Sequence, residues 1–200
     1  MQKHPGTRVG FGPCLRLGLL AMALGAGAVS ADDYTPVNEL LRNGRFAEAT
    51  AKADQYLAKN PRDPQMRFLK GLIQQDAGKL TEAIATYTQM IEDYPELPEP
   101  YNNVAVLYAG QGQFDRARAA LEMATRTSKT YAIAHENLGD VYARLASQAY
   151  SQALQLDAAN STIAPKLVLI RQLIGTSATA RSTPVIDKAR PPTPTASAAR

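Results

Sequence analysis

Apolar positions recur through the middle of the chain in blocks separated by short polar turns. Phe68, Leu69, Leu72 and Ile73 form one stripe, and Ala83, Ile84, Tyr87 and Ile91 form the next. Spacings of three and four residues predict a helix for each block. The following pair repeats the arrangement, with Tyr101, Val104, Ala105 and Tyr108, then Phe114, Ala117, Leu121 and Ala124. Gly44, Gly78 and Gly112 stand 34 residues apart, as do Ala49, Ala83 and Ala117, and Phe46, Leu80 and Phe114. A fixed period with two helical blocks per unit predicts stacked helix–turn–helix units.

Taken in order, residues 32–42 predict a short opening helix, with Thr35 as N-cap and Pro36 at the first helical position. Residues 46–59 predict its partner, ended by Asn60-Pro61. The second unit begins after Asp63-Pro64 and closes at Tyr94-Pro95, and Gly71 predicts a crossing too close for any but a small side chain. The third unit turns at Gly110-Gln111-Gly112. The fourth departs from the pattern. Gly139 and Tyr142 keep the register, but Ala146 stands where a turn glycine is expected, and no Gly or Pro occurs between Asp140 and Ala164. The stripe of Leu138, Tyr142, Leu145, Ala149, Ala153 and Leu156 predicts one fused helix of about 25 residues, about 38 Å long; the alternative is a tight turn at Ala146-Ser147. A fused helix leaves Leu145, Ala149, Ala153 and Leu156 as a seam for another helix, from this chain, a second copy or a client. Asn160-Ser161-Thr162 then breaks the chain, and Leu167, Val168, Ile170, Leu173 and Ile174 predict a capping helix over 162–174. Pro, Thr, Ala and Ser dominate residues 175–200, a composition that predicts a disordered tail.

Gly71, Gly78, Ala83 and Pro95, answered 34 residues on by Ala105, Gly112, Ala117 and Lys129, resemble the tetratricopeptide repeat family. The resemblance implies an all-α fold: a right-handed solenoid with units at about 32–61, 64–97, 98–131 and 132–158, an atypical fused last repeat and a C-terminal capping helix. It also implies a concave groove, lined by the first helix of each unit, that receives an extended or helical peptide. Carried onto this chain, the groove takes Phe68, Leu72, Gln75 and Asp76 from the second unit. The third supplies Glu99, Asn102, Asn103, Val106 and Ala109, and the fourth Glu136, Asn137, Asp140 and Arg144. The amides of Asn102, Asn103 and Asn137 carry both donor and acceptor for a peptide main chain. Chaperone-docking members clamp a C-terminal carboxylate, but Phe68 and Leu72 stand where that clamp needs Lys and Asn. A basic or apolar segment suits this surface better.

Charge changes the picture only at the ends. The sequence pI is near 9.2, yet Lys3, Arg8 and Arg16 lie in residues 1–31, and Arg181, Lys188, Arg190 and Arg200 lie beyond 174 against Asp187 alone. The remaining body holds 15 basic and 17 acidic residues, so a nucleic-acid-binding surface is not expected. Residues 1–31 predict a cleaved secretory signal: a positive start, the charge-free run 17–29, and Val29-Ser30-Ala31 before Asp32. That run is shorter than the roughly 20 residues a spanning helix needs, so no stable membrane insertion is expected after cleavage, and the Ala/Gly-rich leader points to a bacterial periplasm.

Cleavage removes Cys14 and leaves His135 as the sole histidine. Cysteine nucleophiles, Cys-rich zinc sites and paired-histidine metal sites are then excluded, and no cofactor is expected. His135 itself is expected to pack at a helix entrance. Gly110-Gln111-Gly112 lacks the strand and lysine of a nucleotide loop. The expectation is a non-enzymatic adaptor of the cell envelope that binds a protein partner. The alternatives are a homodimer built through the long fourth-unit helix, and an auxiliary subunit of a cell-wall or secretion machine.

Overall fold

The computed structural model describes residues 33–181, with side chains through Gly175. The expected signal at 1–31 and the tail beyond 181 lie outside the described residues. The described residues form helices α1 (Thr35–Arg42), α2 (Phe46–Lys59), α3 (Pro64–Asp76), α4 (Leu80–Asp93), α5 (Pro98–Gly110), α6 (Phe114–Thr127), α7 (Ala132–Leu156) and α8 (Ile163–Arg181). Each packs on the next in sequence, and α1 also meets α3 as α5 meets α7. This is the expected all-α solenoid.

The turn glycines explain why helices end where they do. Gly44, Gly78 and Gly112 adopt φ of 71°, 75° and 74°, a left-handed backbone that only glycine enters without strain. Beyond each, the chain curls back onto the helix it has just left. The N–H of Lys79 donates to the Gln74 carbonyl at 2.8 Å, and that of Gln113 to the Tyr108 carbonyl at 2.9 Å. These bonds satisfy carbonyls that a helix C-terminus leaves open. Ala146 offers no such conformation, and α7 runs straight through it for 25 residues.

Three expectations about the helices are corrected. Thr35 is the first helical residue, not the cap; Tyr34 holds the N-cap position without a side-chain bond. The capping helix does not stop at Ile174 but continues to Arg181, so residues 175–181 are helical where composition predicts a disordered tail. Residues 175–181 contain no proline, and one glycine costs a helix only about 1 kcal/mol. The seam on α7 is also rotated. Leu145 packs against the core of the third unit, whereas Ala149 is exposed and Leu156 is 80% exposed. α8 folds back along α7 on a neighbouring stripe, with the Lys166 ammonium 5.9 Å from the centre of the Tyr150 ring.

The core runs through the whole stack. Val37, Leu40 and Leu41 open it, and Met66, Phe68, Leu69, Ile73, Tyr87 and Met90 fill its centre. Tyr101, Ala105, Leu121 and Val141 carry it into the last units. Asp63 ties the first three helices together. One carboxylate oxygen caps α3 through the Met66 N–H at 2.7 Å, and the other accepts from the Tyr34 hydroxyl at 2.7 Å and the Tyr56 hydroxyl at 3.2 Å. Gly71 sits under the Tyr87 ring: a Cβ there would lie 2.5 Å from Tyr87 Cε1. The close crossing read from the sequence is therefore real, and Tyr87 is what makes it close.

Candidate functional site

The first helices of successive units form the inner layer of the stack, with α1 against α3 and α5 against α7. Thirteen residues of this layer are expected to face a partner, and the structure divides them. Phe68 and Leu72 are corrected: they are 0% and 4% exposed and belong to the core. The small Gly71 draws Tyr87 inward, and Phe68 packs on that ring at 5.7 Å between centroids. Neither side chain is available to a peptide.

The asparagines are spent on each other. Asn137 Nδ2 donates to Asn102 Oδ1 at 2.8 Å, Asn102 Nδ2 to Asn103 Oδ1 at 3.2 Å, and Asn103 Nδ2 to the Tyr87 hydroxyl at 3.2 Å. Asn102 and Asn103 are 3% and 7% exposed. A buried amide needs such partners, because leaving one unpaired costs about 1–3 kcal/mol. The chain links α7, α5 and α4, and it corrects the expectation that Asn102 and Asn103 lie open to a peptide main chain. Burial raises the Tyr87 hydroxyl far above its ordinary range, partly opposed by the bond from Asn103.

Five of these residues come together. Val106, Ala109, Asn137, Asp140 and Arg144 line one open cleft of about 540 Å³, with Ala105, Gly110, Gly112, Phe114, Leu121 and Val141. Its floor is apolar and its α7 rim is polar. Glu136 is exposed one turn before Asp140, and Gln75 is half-buried at the end of α3.

Glu99 is the residue that sequence reasoning places on this layer without singling out. Its Oε2 is buried and has no hydrogen-bond partner, a condition shared by Gln75 Oε1. Burial raises the Glu99 carboxyl above its ordinary range, against a smaller lowering by its own backbone N–H. No motif announces this, since it arises from desolvation by neighbouring units.

The sign of the pH effect follows. Folded Glu99 holds its proton more tightly than unfolded Glu99, so stability is untouched by this group below the ordinary glutamate range and falls as pH rises through the raised one. Glu99→Gln is expected to melt higher than wild type at neutral pH, with the two converging in acid. Parallel thermal melts across that range check it; a variant less stable at neutral pH would contradict the desolvation.

His135 does not pack as expected. It is exposed, and its Nε2 lies 3.2 Å from the Lys129 carbonyl, bracing the turn before α7. Among the described residues no cluster of His, Cys, Asp and Glu is arranged to hold a metal ion. None of the described helices is long and apolar enough to cross a membrane.

Two overlapping family signatures match the chain, both described as tetratricopeptide repeat, over residues 34–98 and 74–135. A curated relative, the probable biofilm formation methyltransferase WspC of Pseudomonas putida, is 27% identical over 93 residues. Those residues make up 46% of this chain and 22% of that one, so the chain spans about a fifth of the length of this relative. Among solved structures, a thermophilic tetratricopeptide repeat protein of Thermus thermophilus superposes with a TM-score of 0.53 at 22% identity, covering 79% of this chain and 90% of the other. MamA from Desulfovibrio magneticus also gives 0.53, at 18% identity, over 78% and 92% of the two chains.

Proposed function

The chain belongs to the tetratricopeptide repeat family, and from that premise we propose that it is a non-enzymatic adaptor holding a peptide or helix of another cell-envelope protein on its inner face. The observation that carries this reading is the cleft between α5, α6 and α7, where an apolar floor meets a polar rim. Residues 1–31, with their basic start and apolar run, support a periplasmic address. The repeat family, whose members are built for binding, and His135 held to the Lys129 carbonyl favour binding over chemistry.

A photo-crosslinking amino acid at Val106, which is 40% exposed in the cleft, tests the site in cells. A discrete adduct is expected from that position and not from Glu82, an exposed residue of α4 outside the inner layer. Ala109→Arg, which fills the cleft, should abolish the adduct. Equal labelling from both positions would show that partners do not use this face.

A second reading rests on a separate observation. α8 is apolar on more than one side, with Val168 54% and Leu169 65% exposed, and Leu156 of α7 lies open nearby in sequence. Such a hairpin suits a homodimer through the last two helices. A strictly monomeric protein at high concentration in the ultracentrifuge removes this reading.

A further inference from the structure

Accepting that the inner face binds a partner, its polar atoms narrow what that partner is. Position 99 shares one stripe of α5 with 103, 106 and 110, at spacings of four, three and four residues. Val106 and Gly110 of that stripe line the cleft, and position 99 stands on the same stripe two turns toward the helix start, beyond the cleft's lining residues. Glu99 Oε2 and Gln75 Oε1 are the inner-layer side-chain atoms left buried without a partner, and both are acceptors. Asn137, Asn102 and Asn103 are already engaged in the chain of bonds that ends on the Tyr87 hydroxyl. What this face lacks is donors, and the cleft rim adds Asp140 against Arg144, with exposed Glu136 one turn before.

We propose that Glu99 selects the partner, and that the occupant is an extended segment carrying an arginine or lysine about three residues from an aliphatic side chain. The spacing comes from the helix. Seven residues separate Glu99 from Val106, a rise of about 10 Å. An extended chain of polyproline-II form, with about 3.1 Å per residue and three residues per turn, covers this in three steps and returns both side chains to one face. The aliphatic side chain fills the apolar floor beside Val106 and Ala109, and the cation takes the unpartnered Glu99 Oε2. A charged donor on a desolvated carboxylate makes a short, strong hydrogen bond. This also gives a reason for Glu99 to be there at all. A buried carboxylate oxygen without a partner burdens the free protein, and residues that trade stability for a ligand contact cluster at binding sites.

The test uses the purified chain and fluorescein-labelled, end-blocked alanine peptides carrying one arginine and one leucine, separated by zero to six residues. A matched set replaces arginine with neutral citrulline. Affinity is expected to peak when the two side chains stand three apart, with arginine preferred over citrulline by about tenfold. Glu99→Gln, checked as folded by its melt, should bind both peptides alike. Ala109→Arg should abolish binding of both.

Arginine and citrulline peptides bound equally by wild type, or a preference that survives Glu99→Gln, would overturn the role of Glu99 while leaving the cleft intact. Binding that ignores Ala109→Arg would instead overturn the inner-face reading itself. A set in which no spacing binds rejects the proposed occupant, and the crosslink at Val106 then decides the site independently.

Discussion

Tyr87→Ala is expected to destabilise the protein by about 3–5 kcal/mol. The ring is fully buried between α3 and α4, stacked at a tilt on Phe68. Its hydroxyl accepts from Asn103, so truncation also strands a buried amide donor at the end of the asparagine chain. The ring's position is set by Gly71, where a Cβ would meet Tyr87 Cε1 at 2.5 Å and Cζ at 2.7 Å. In the third unit the equivalent pair is Ala105 and Leu121, both buried, so a methyl on one helix is matched by a smaller side chain on the other.

The comparison between units supplies a stricter form of the prediction. Gly71→Ala in the wild-type background should overpack and cost about 1–3 kcal/mol. In a Tyr87→Leu background, which copies the third unit, the same change should cost little, giving a coupling of about 1 kcal/mol or more. Denaturant melts of the four proteins measure it. If Gly71→Ala costs as much beside leucine as beside tyrosine, the ring is not what keeps residue 71 small.

The helices were largely legible because their signals are local. A 34-residue period, three glycines whose backbones prove to have φ between 71° and 75°, and an alanine at 146 in place of a fourth are each readable from near neighbours. The fused α7 follows from that one alanine. The inner face was less legible because helical spacing says which side a residue takes, but not what will cover it. Phe68 and Leu72 sit on the expected stripe and are nonetheless sealed by Tyr87 and the adjoining units. Asn102 and Asn103 look like open amides until Asn137 arrives from α7, 35 residues further on, to close the chain. Glu99 reads as an ordinary surface acid, and only the stacking of units strips water from one of its oxygens. The end of α8 was missed for a different reason: composition flagged a change at Gly175, but composition does not stop a helix that meets no proline.

The largest effect expected from a change at the end of the stack comes from removing α8. A chain ended at Asn160 loses Ile163 and Leu167, 8% and 6% exposed, each worth about 1.5–3 kcal/mol when buried. Part of this is offset by the entropy no longer spent on ordering the helix. A net loss of about 2 kcal/mol would lower the melting midpoint by about 4–8 °C in a domain of this size. The cut also bares the stripe of α7 that α8 covers, including the half-buried Tyr150 and Leu154, while Leu156 beside it is already open. A solenoid that loses its terminal cap presents its apolar interior to other molecules, so the shortened chain should sediment as larger species. A chain ended at Arg181 is the control, since residues 182–200 offer no apolar periodicity, and it should melt and sediment as the full chain does. If the Asn160 chain instead stays monomeric with an unchanged midpoint, α8 is not a cap. Its apolar surface would then have to serve association of the intact protein, and the full chain, not the shortened one, would be the species found as a dimer.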